Sequence, residues 1–168
     1  HETLEAFSKK LDASDYTWRT LPQEVADEWV EECLASLTVD YGNTVLNSTA
    51  RNNYMIRRMA RILKRTVWAL GEQIRKGLFT PENYEISFSS VSDLESINIE
   101  LSPEERLKLR GRIDRVDTCE DGEHVYVKVI DYKSGNTSFQ LLSLYHGLQL
   151  QLVIYLNAAM ELMKKEHP

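Results

Sequence analysis

The residues of this sequence that could do chemistry begin with an aspartate and a lysine at the end of an apolar segment, VKVIDYKSG. Side chains alternate in direction along a strand, so we expect Asp131 and Lys133 to share a face with Val127 and Val129. Burying a carboxylate or an ammonium group costs several kcal/mol unless the group is paired or binds a metal. The segment therefore predicts either a structural ion pair or a catalytic site.

A second carboxylate, Asp114, lies in the preceding segment GRIDRVD. A hairpin turn within EDGEH would bring the Asp114 end of one strand beside the Asp131 end of the next. Carboxylate oxygens suit Mg²⁺ or Mn²⁺, and a lysine beside a metal-bound water can stabilise charge or help to deprotonate that water. The alternative is a partly buried ion pair of Asp131 with Lys133 or Arg112.

Two polar side chains follow in the otherwise apolar segment GLQLQLVIYL. Gln151 and Tyr155 are four positions apart and therefore share one face of a helix. We expect the first turns of this helix to pack near the end of the Asp131 strand, because the helix follows it along the chain. The alternative is a core Gln–Tyr pair whose remaining hydrogen bonds are made to the backbone.

Helices are predicted first in the chain that must position these residues. An amphipathic helix is expected over HETLEAFSKKL, with Leu4, Phe7 and Leu11 on one face. A second helix is expected from Pro22 to about Leu37, then a loop at YGNTVLNS, then a long helix from about Ser48 to Lys76. The apolar stripe predicted for the long helix comprises Met55, Met59, Ile62, Leu63, Thr66, Val67 and Leu70.

Strands are predicted after the helices, and a helix closes the sequence. The expected strands are YEISFSSV, ERLKLRGRIDRVD and VYVKVIDYK. The last helical region is expected from about Phe139 to Lys165, with an interruption near Gly147. This order predicts an α/β fold.

Composition places the chain among ordinary globular proteins, with 42% hydrophobic and 27% charged residues in 168. No apolar run approaches the roughly 20 residues that a membrane span needs. Cys33 and Cys119 suggest no disulfide framework, so we expect a reducing, cytoplasmic setting. The first residue is not Met and the last residues continue a helical pattern, so we expect a fragment of a longer chain.

Charge is distributed unevenly. The net charge of −6 taken alone argues against a simple nucleic-acid binder, yet eight Lys or Arg and one acid lie between Arg51 and Lys76. Within this segment Arg58, Arg61 and Arg65 recur on one helical stripe. The stripe could contact the DNA backbone, could be a solvated face, or could dock on the remainder of a larger protein.

Together, GRIDRVD, VIDYKSG and YHGLQLQLVIYL resemble the G-x-I-D, D-Y-K and Q-x-x-x-Y elements of the RecB-type nucleases of the PD-(D/E)XK superfamily. Within that superfamily the resemblance is greatest to the nuclease domains of the AddB family of helicase–nuclease subunits, and it is strong from Gly111 to Leu156. It implies an α/β, restriction-endonuclease-like core with a small mixed sheet flanked by helices. The chain would be one domain, helical over 1–78 and carrying the active site over 79–168, and would lack the final core strand.

The resemblance implies a Mg²⁺- or Mn²⁺-dependent deoxyribonuclease and assigns roles to matched positions. The expected metal ligands are Asp114, Asp131, the carbonyl of Tyr132 and His1; Lys133 is the expected catalytic lysine; Gln151 and Tyr155 are expected to position the site and contact DNA. Arg112 and Arg115, which flank Asp114, are expected to meet phosphate near the metal.

The resemblance also implies partners beyond this chain. It suggests an ATP-dependent helicase–nuclease that processes double-strand-break ends with an AddA-type partner. The family carries four cysteines for an iron–sulfur cluster, but Cys33 and Cys119 match neither location, so no cluster is assigned to this chain. Two alternatives remain: a stand-alone RecB-type exonuclease, and a non-catalytic DNA-binding or scaffold module derived from such a nuclease.

Overall fold

The computed structural model describes residues 1–40, 49–87, 98–100, 106–133, 135 and 138–166. The chain divides into two compact units, a helical unit, His1–Leu78, and a sheet unit, Phe79–Pro168. The helical unit contains α1 (Glu2–Asp12), α2 (Gln23–Asp40) and α3 (Ala50–Lys76). The sheet unit contains β1 (Thr80–Ser87), β2 (Asn98–Glu100), β3 (Arg106–Lys108), β4 (Arg112–Glu120), β5 (Val125–Ile130), α4 (Leu141–Tyr145) and α5 (Gln151–Glu166).

These elements confirm the predicted mixed α/β class. The predicted loop YGNTVLNS and the end of the first predicted strand, from residue 88 onward, lie outside the described residues. Among the residues that the structure describes, no helix is both long and apolar enough to cross a lipid bilayer.

The helical unit is organised around the apolar face of α1. Leu4, Phe7 and Leu11 are buried, as the helical periodicity predicts. The Phe7 ring packs against Trp18 and Trp29, with ring centroids 5.5 and 6.2 Å away. This aromatic cluster fixes α1 against α2.

The predicted apolar stripe of α3 is only partly correct. Val67 and Leu70 are buried, but Met55, Met59 and Ile62 are between 47% and 56% exposed. The inward-facing row instead follows the spacing of Ile56, Ala60, Leu63, Val67, Leu70 and Ile74. Ile56 and Ala60 line a groove with Leu34 and Val39 of α2, so the first half of the buried stripe lies one position further along the helix than expected.

The sheet is antiparallel, with the strand order β1-β4-β5. The β4–β5 pairing runs from Glu120 opposite Val125 to Arg115 opposite Ile130. At the turn, Asp121 Oδ1 accepts hydrogen bonds from the backbone N–H groups of Glu123 and His124, and Gly122 has a φ of 93°. The predicted hairpin is therefore confirmed.

The single strand predicted over ERLKLRGRIDRVD is in fact two strands. β3 pairs with β2 in a separate two-stranded sheet, and β4 begins at Arg112. Because β3 has its own partner strand, the chain must leave one sheet before it enters the other.

The helical region that follows the sheet is interrupted as predicted. α4 ends before Gly147, which has a φ of 73°, and α5 begins at Gln151. Ala158, Ala159 and Met163 of α5 form a buried cluster with Ile113 and Val116 of β4. This packing places the first turn of α5 near the end of β5.

Candidate metal centre and active site

Three acidic residues come from three neighbouring strand positions of the sheet. In the β1–β4 pairing, Tyr84 is opposite Arg115 and Ile86 is opposite Ile113, so Glu85 falls opposite Asp114. Asp131 follows Ile130, the partner of Arg115, and therefore falls beside Asp114 on the other side. We call Glu85, Asp114 and Asp131 the carboxylate row.

All three side chains of the carboxylate row are largely withdrawn from solvent. Asp114 is 8% exposed as a residue, and the side chains of Glu85 and Asp131 are 7% and 9% exposed. Carboxylate oxygens of Glu85 and Asp114 lie within 4.8 Å of each other. Such a close pair of buried carboxylates repels itself, and a hard cation with oxygen ligands would relieve that repulsion. The donor set therefore fits a divalent ion of the Mg²⁺ or Mn²⁺ type.

Glu85 is the member of the row that sequence reasoning missed. It has a φ of 50°, an uncommon value for a residue other than glycine. Its carboxylate receives Arg112 Nε at 2.7 Å. Strained backbone positions cluster at functional sites, which is a reason to consider Glu85 as a ligand. The pattern of the β1 segment alone gave no signal, because the partner strand of Glu85 lies almost thirty residues further along the chain.

The predicted catalytic side chains form one connected series. Lys133 Nζ lies 2.5 Å from Asp131 Oδ2 and donates to Gln151 Oε1 at 3.2 Å. The Gln151 amide then donates to the Tyr155 hydroxyl at 3.0 Å. The structure therefore brings Asp131, Lys133, Gln151 and Tyr155 together, and the i, i+4 spacing of Gln151 and Tyr155 has the geometric consequence expected from it.

The charge state of Lys133 follows from its neighbours. The Asp131 carboxylate accepts a hydrogen bond from the ammonium group and raises the pKa of Lys133 above its ordinary value. Lys133 is therefore positively charged at neutral pH. In this form it can orient a water molecule or stabilise an oxyanion, and it can take up a proton only after losing its own.

A pocket of about 510 Å³ opens beside these residues and is lined mainly by apolar side chains. Asp131, Lys133 and Gln151 form one part of its wall, and Phe139 and Leu148 form another. The wall near Phe139 is fixed by Gln149, which accepts a hydrogen bond from the Gln140 N–H and donates one to the Ser138 carbonyl, both at 3.0 Å. The pocket gives a ligand access to the Lys133 ammonium.

Tyr132 connects the two sides of the carboxylate row. Its backbone N–H donates to Asp114 Oδ2 at 2.6 Å, which ties the segment after β5 to β4. The role of the Tyr132 carbonyl as a metal ligand stays a prediction. Burial raises the pKa of the Tyr132 hydroxyl.

The two arginines beside Asp114 have different environments. Arg112 is more than half exposed, at 58% of its side chain, and pairs with Glu85. It remains able to meet a phosphate near the row. Arg115 is fully buried, and its guanidinium binds both carboxylate oxygens of Asp117 at 2.5 and 2.7 Å. The expected contact of Arg115 with phosphate is therefore wrong for this structure, because strand alternation directs Arg115 away from the face that carries Asp114.

The remaining predicted site residues lie in the helical unit. Arg58, Arg61 and Arg65 are exposed on α3 and line one shallow groove with Ile62. The Arg65 guanidinium lies over the Trp68 ring, 5.8 Å from its centroid. His1 is exposed and immediately precedes α1. Contact of the arginines with DNA and ligation of metal by His1 stay predictions.

Comparison with known proteins gives concordant results. A family model described as the PD-(D/E)XK nuclease superfamily matches residues 1–168. The chain is 47% identical over 168 residues to an ATP-dependent helicase/deoxyribonuclease subunit of Lachnoclostridium phytofermentans. It is 40% identical over 168 residues to the protein of the same name from Alkaliphilus metalliredigens, and 40% identical over 158 residues to that from Clostridium botulinum.

These matches cover nearly all of the chain but a small part of each relative. The three alignments include 100%, 99% and 94% of this chain, and 14%, 15% and 14% of the respective relatives. The chain thus spans about one seventh of the length of the relatives that it matches.

Proposed function

The chain belongs to the PD-(D/E)XK nuclease superfamily, and on that premise we propose that it hydrolyses DNA phosphodiester bonds with a divalent cation held at the carboxylate row. The observation that carries the proposal is the connected series Asp131–Lys133–Gln151–Tyr155, which ends beside the buried carboxylates of Glu85 and Asp114. A structural ion pair alone would not need a neighbouring carboxylate pair or an adjoining pocket.

We assign Asp114 and Asp131 as ligands, with Glu85 as a further candidate and with His1 and the Tyr132 carbonyl as the others expected from the resemblance. A bound Mg²⁺ or Mn²⁺ would polarise the scissile phosphate and lower the pKa of its water. The charged Lys133 ammonium would orient the attacking water and stabilise the developing negative charge. Gln151 holds Lys133 through its amide oxygen, and Tyr155 holds Gln151, so both act by positioning the lysine.

DNA would approach through the pocket beside Lys133, with Arg112 contacting a flanking phosphate. The apolar walls at Phe139 and Leu148 suit the faces of nucleotide bases, since bases stack on aromatic and apolar side chains. The basic stripe Arg58, Arg61 and Arg65 would add affinity for the DNA backbone that does not depend on sequence.

The two units are proposed to form one nuclease domain with a restriction-endonuclease-like core, because the family model extends over both. The relatives are named as helicase/deoxyribonuclease subunits. We therefore propose that the chain acts within an ATP-dependent helicase–nuclease that processes double-strand-break ends together with an AddA-type partner, in the cytoplasm.

The proposal is tested by separating metal binding from cleavage in the intact protein. Lys133→Ala should retain Mn²⁺ binding in calorimetry and lose at least a hundredfold in cleavage rate, as expected when a group that stabilises transition-state charge is removed. Asp114→Ala/Asp131→Ala should lose both. Lys164→Ala, which removes an exposed lysine of α5, is the matched control and should behave as the parent.

Circular dichroism must show that each variant is folded. A folded parent without Mn²⁺ binding would remove the metal centre from the proposal. Binding without cleavage in the parent would favour a non-catalytic module derived from a nuclease.

A further inference from the structure

A buried ionic network occupies the face of the sheet opposite to the carboxylate row. Arg115 and Asp117 of β4 are both 0% exposed, and the guanidinium binds both carboxylate oxygens of Asp117. Lys128, directly opposite Asp117 on β5, adds a second cation at 3.0 Å. No step of the proposed hydrolysis uses these three residues.

The network reaches the active-site segment through one side chain, Tyr132. Tyr132 continues the face that carries Arg115 and its strand partner Ile130. Arg115 Nη1 donates to the Tyr132 hydroxyl at 3.2 Å, while the Tyr132 backbone N–H donates to Asp114 Oδ2 at 2.6 Å. Tyr132 is thus held by its side chain on one face of the sheet and by its backbone on the other.

The place of Tyr132 in the chain gives this double attachment its importance. β5 ends at Ile130, so Asp131, Tyr132 and Lys133 lie just beyond the last residue of the strand. Asp131 and Lys133 flank Tyr132 and project to the opposite face, where they form the ion pair beside Gln151. A rotation of the Tyr132 backbone would displace both of them together.

Stability alone is a poor explanation for the network. Replacing a buried ion pair by apolar residues of similar volume is often neutral or stabilising, because desolvation of the charges offsets their attraction. A network that fixes the direction of a segment has a different benefit, since misplacing a catalytic group by about 1 Å can cost a hundredfold in rate.

We propose that Arg115, held by Asp117, is a positioning residue that acts through the Tyr132 hydroxyl to keep Asp131 and Lys133 in register with Asp114. The proposal rests on the proposed function, since it concerns the same site. It gives Arg115 a role in catalysis without any contact with DNA or metal.

The test is Tyr132→Phe in the intact protein, because this change removes only the hydroxyl that Arg115 binds. Tyr126→Phe is the matched control: it also removes a hydroxyl from the β5 side of the hairpin, where Tyr126 donates to Asp121 at 3.0 Å, at the opposite end of the strand. Arg115→Lys is the second variant, since lysine keeps a charge for Asp117 but lacks the planar fork that also reaches Tyr132.

We expect Tyr132→Phe and Arg115→Lys to lower kcat at saturating DNA and Mn²⁺ by about tenfold or more, with little change in KM for DNA. Both should also weaken Mn²⁺ binding measured by calorimetry, while the unfolding midpoint of Tyr132→Phe stays close to that of Tyr126→Phe. The proposal is overturned if Tyr132→Phe keeps the kcat and the Mn²⁺ affinity of Tyr126→Phe.

It is also overturned if kcat recovers when the variants are assayed at a temperature low enough to restore full folding, because the loss would then come from unfolding. The failure of the proposed function would look different. A folded parent that binds Mn²⁺ but cleaves no DNA would refute the nuclease activity, and the Mn²⁺ affinities of the variants would still report whether Tyr132 positions the site.

Discussion

At the scale of single residues, strand alternation and helical spacing account for most of what the sequence could predict about the site. Asp131 and Lys133 are on one face because they are two positions apart, and Gln151 meets Tyr155 because they are one helical turn apart. The same alternation places Arg115 on the face opposite to Asp114, so its expected contact with phosphate could have been rejected from the sequence. Glu85 could not have been found in this way, since its position depends on long-range pairing with β4.

Glu85 gives the sharpest prediction at this scale. Glu85→Gln keeps the size of the side chain but removes a charged oxygen ligand, so we expect Mn²⁺ affinity to fall by about tenfold or more in calorimetry. Glu82→Gln is the matched control, because Glu82 is on the same strand and accepts a hydrogen bond from Thr118 instead. Equal Mn²⁺ affinities in the two variants would exclude Glu85 from the metal centre.

At the scale of elements, the helices, the hairpin and the break at Gly147 were predictable because local signals define them. Two features were not. The pairing of β3 with β2 is a choice between partner strands, and a single sequence does not record it. α3 carries two adjacent apolar rows, one with Met55 and Met59 and one with Ile56 and Ala60, and only packing against α2 selects between them.

The selection of the Ile56 row leaves the outer face of α3 exposed, with Arg58, Arg61 and Arg65 beside Met59 and Ile62. If this face contacts the DNA backbone, the triple change of these arginines to Gln should lower DNA affinity. It should also reduce the slope of log K against log salt by about two to three, as expected for three lost phosphate contacts. Fluorescence anisotropy over a salt series measures both quantities.

The matched control for the α3 prediction changes net charge by the same amount at exposed lysines elsewhere, namely Lys9, Lys76 and Lys164 to Gln. An arginine triple variant with the salt slope of this control would show that the α3 face does not contact DNA. Docking of that face on another part of a longer protein would then be the better explanation of its exposed apolar side chains.

At the scale of the whole molecule, the charge is divided along the sequence rather than balanced throughout. The segment from Arg51 to Lys76 has eight basic residues and one acid, while the net charge of the chain is −6. The acidic remainder includes the carboxylate row, whose buried negative charges favour a cation. Basic residues on α3 and acidic ligands in the sheet thus give the two units different chemical tasks, one suited to phosphate and one suited to metal.

This division predicts where a metal should stabilise the protein. A ligand that binds only the folded state adds about 2.7 kcal/mol at a concentration a hundredfold above its Kd. We therefore expect Mg²⁺ at that concentration to slow amide hydrogen exchange in peptides covering 112–133 by up to about a hundredfold, provided that exchange there requires opening of the site. Peptides covering α2 should exchange at unchanged rates, and EDTA should reverse the protection. Asp114→Asn should abolish the effect, whereas Asp121→Asn, at the turn of the same hairpin, should preserve it. Equal slowing in α2 and in the hairpin would mean that Mg²⁺ acts on the protein as a whole and not through the carboxylate row.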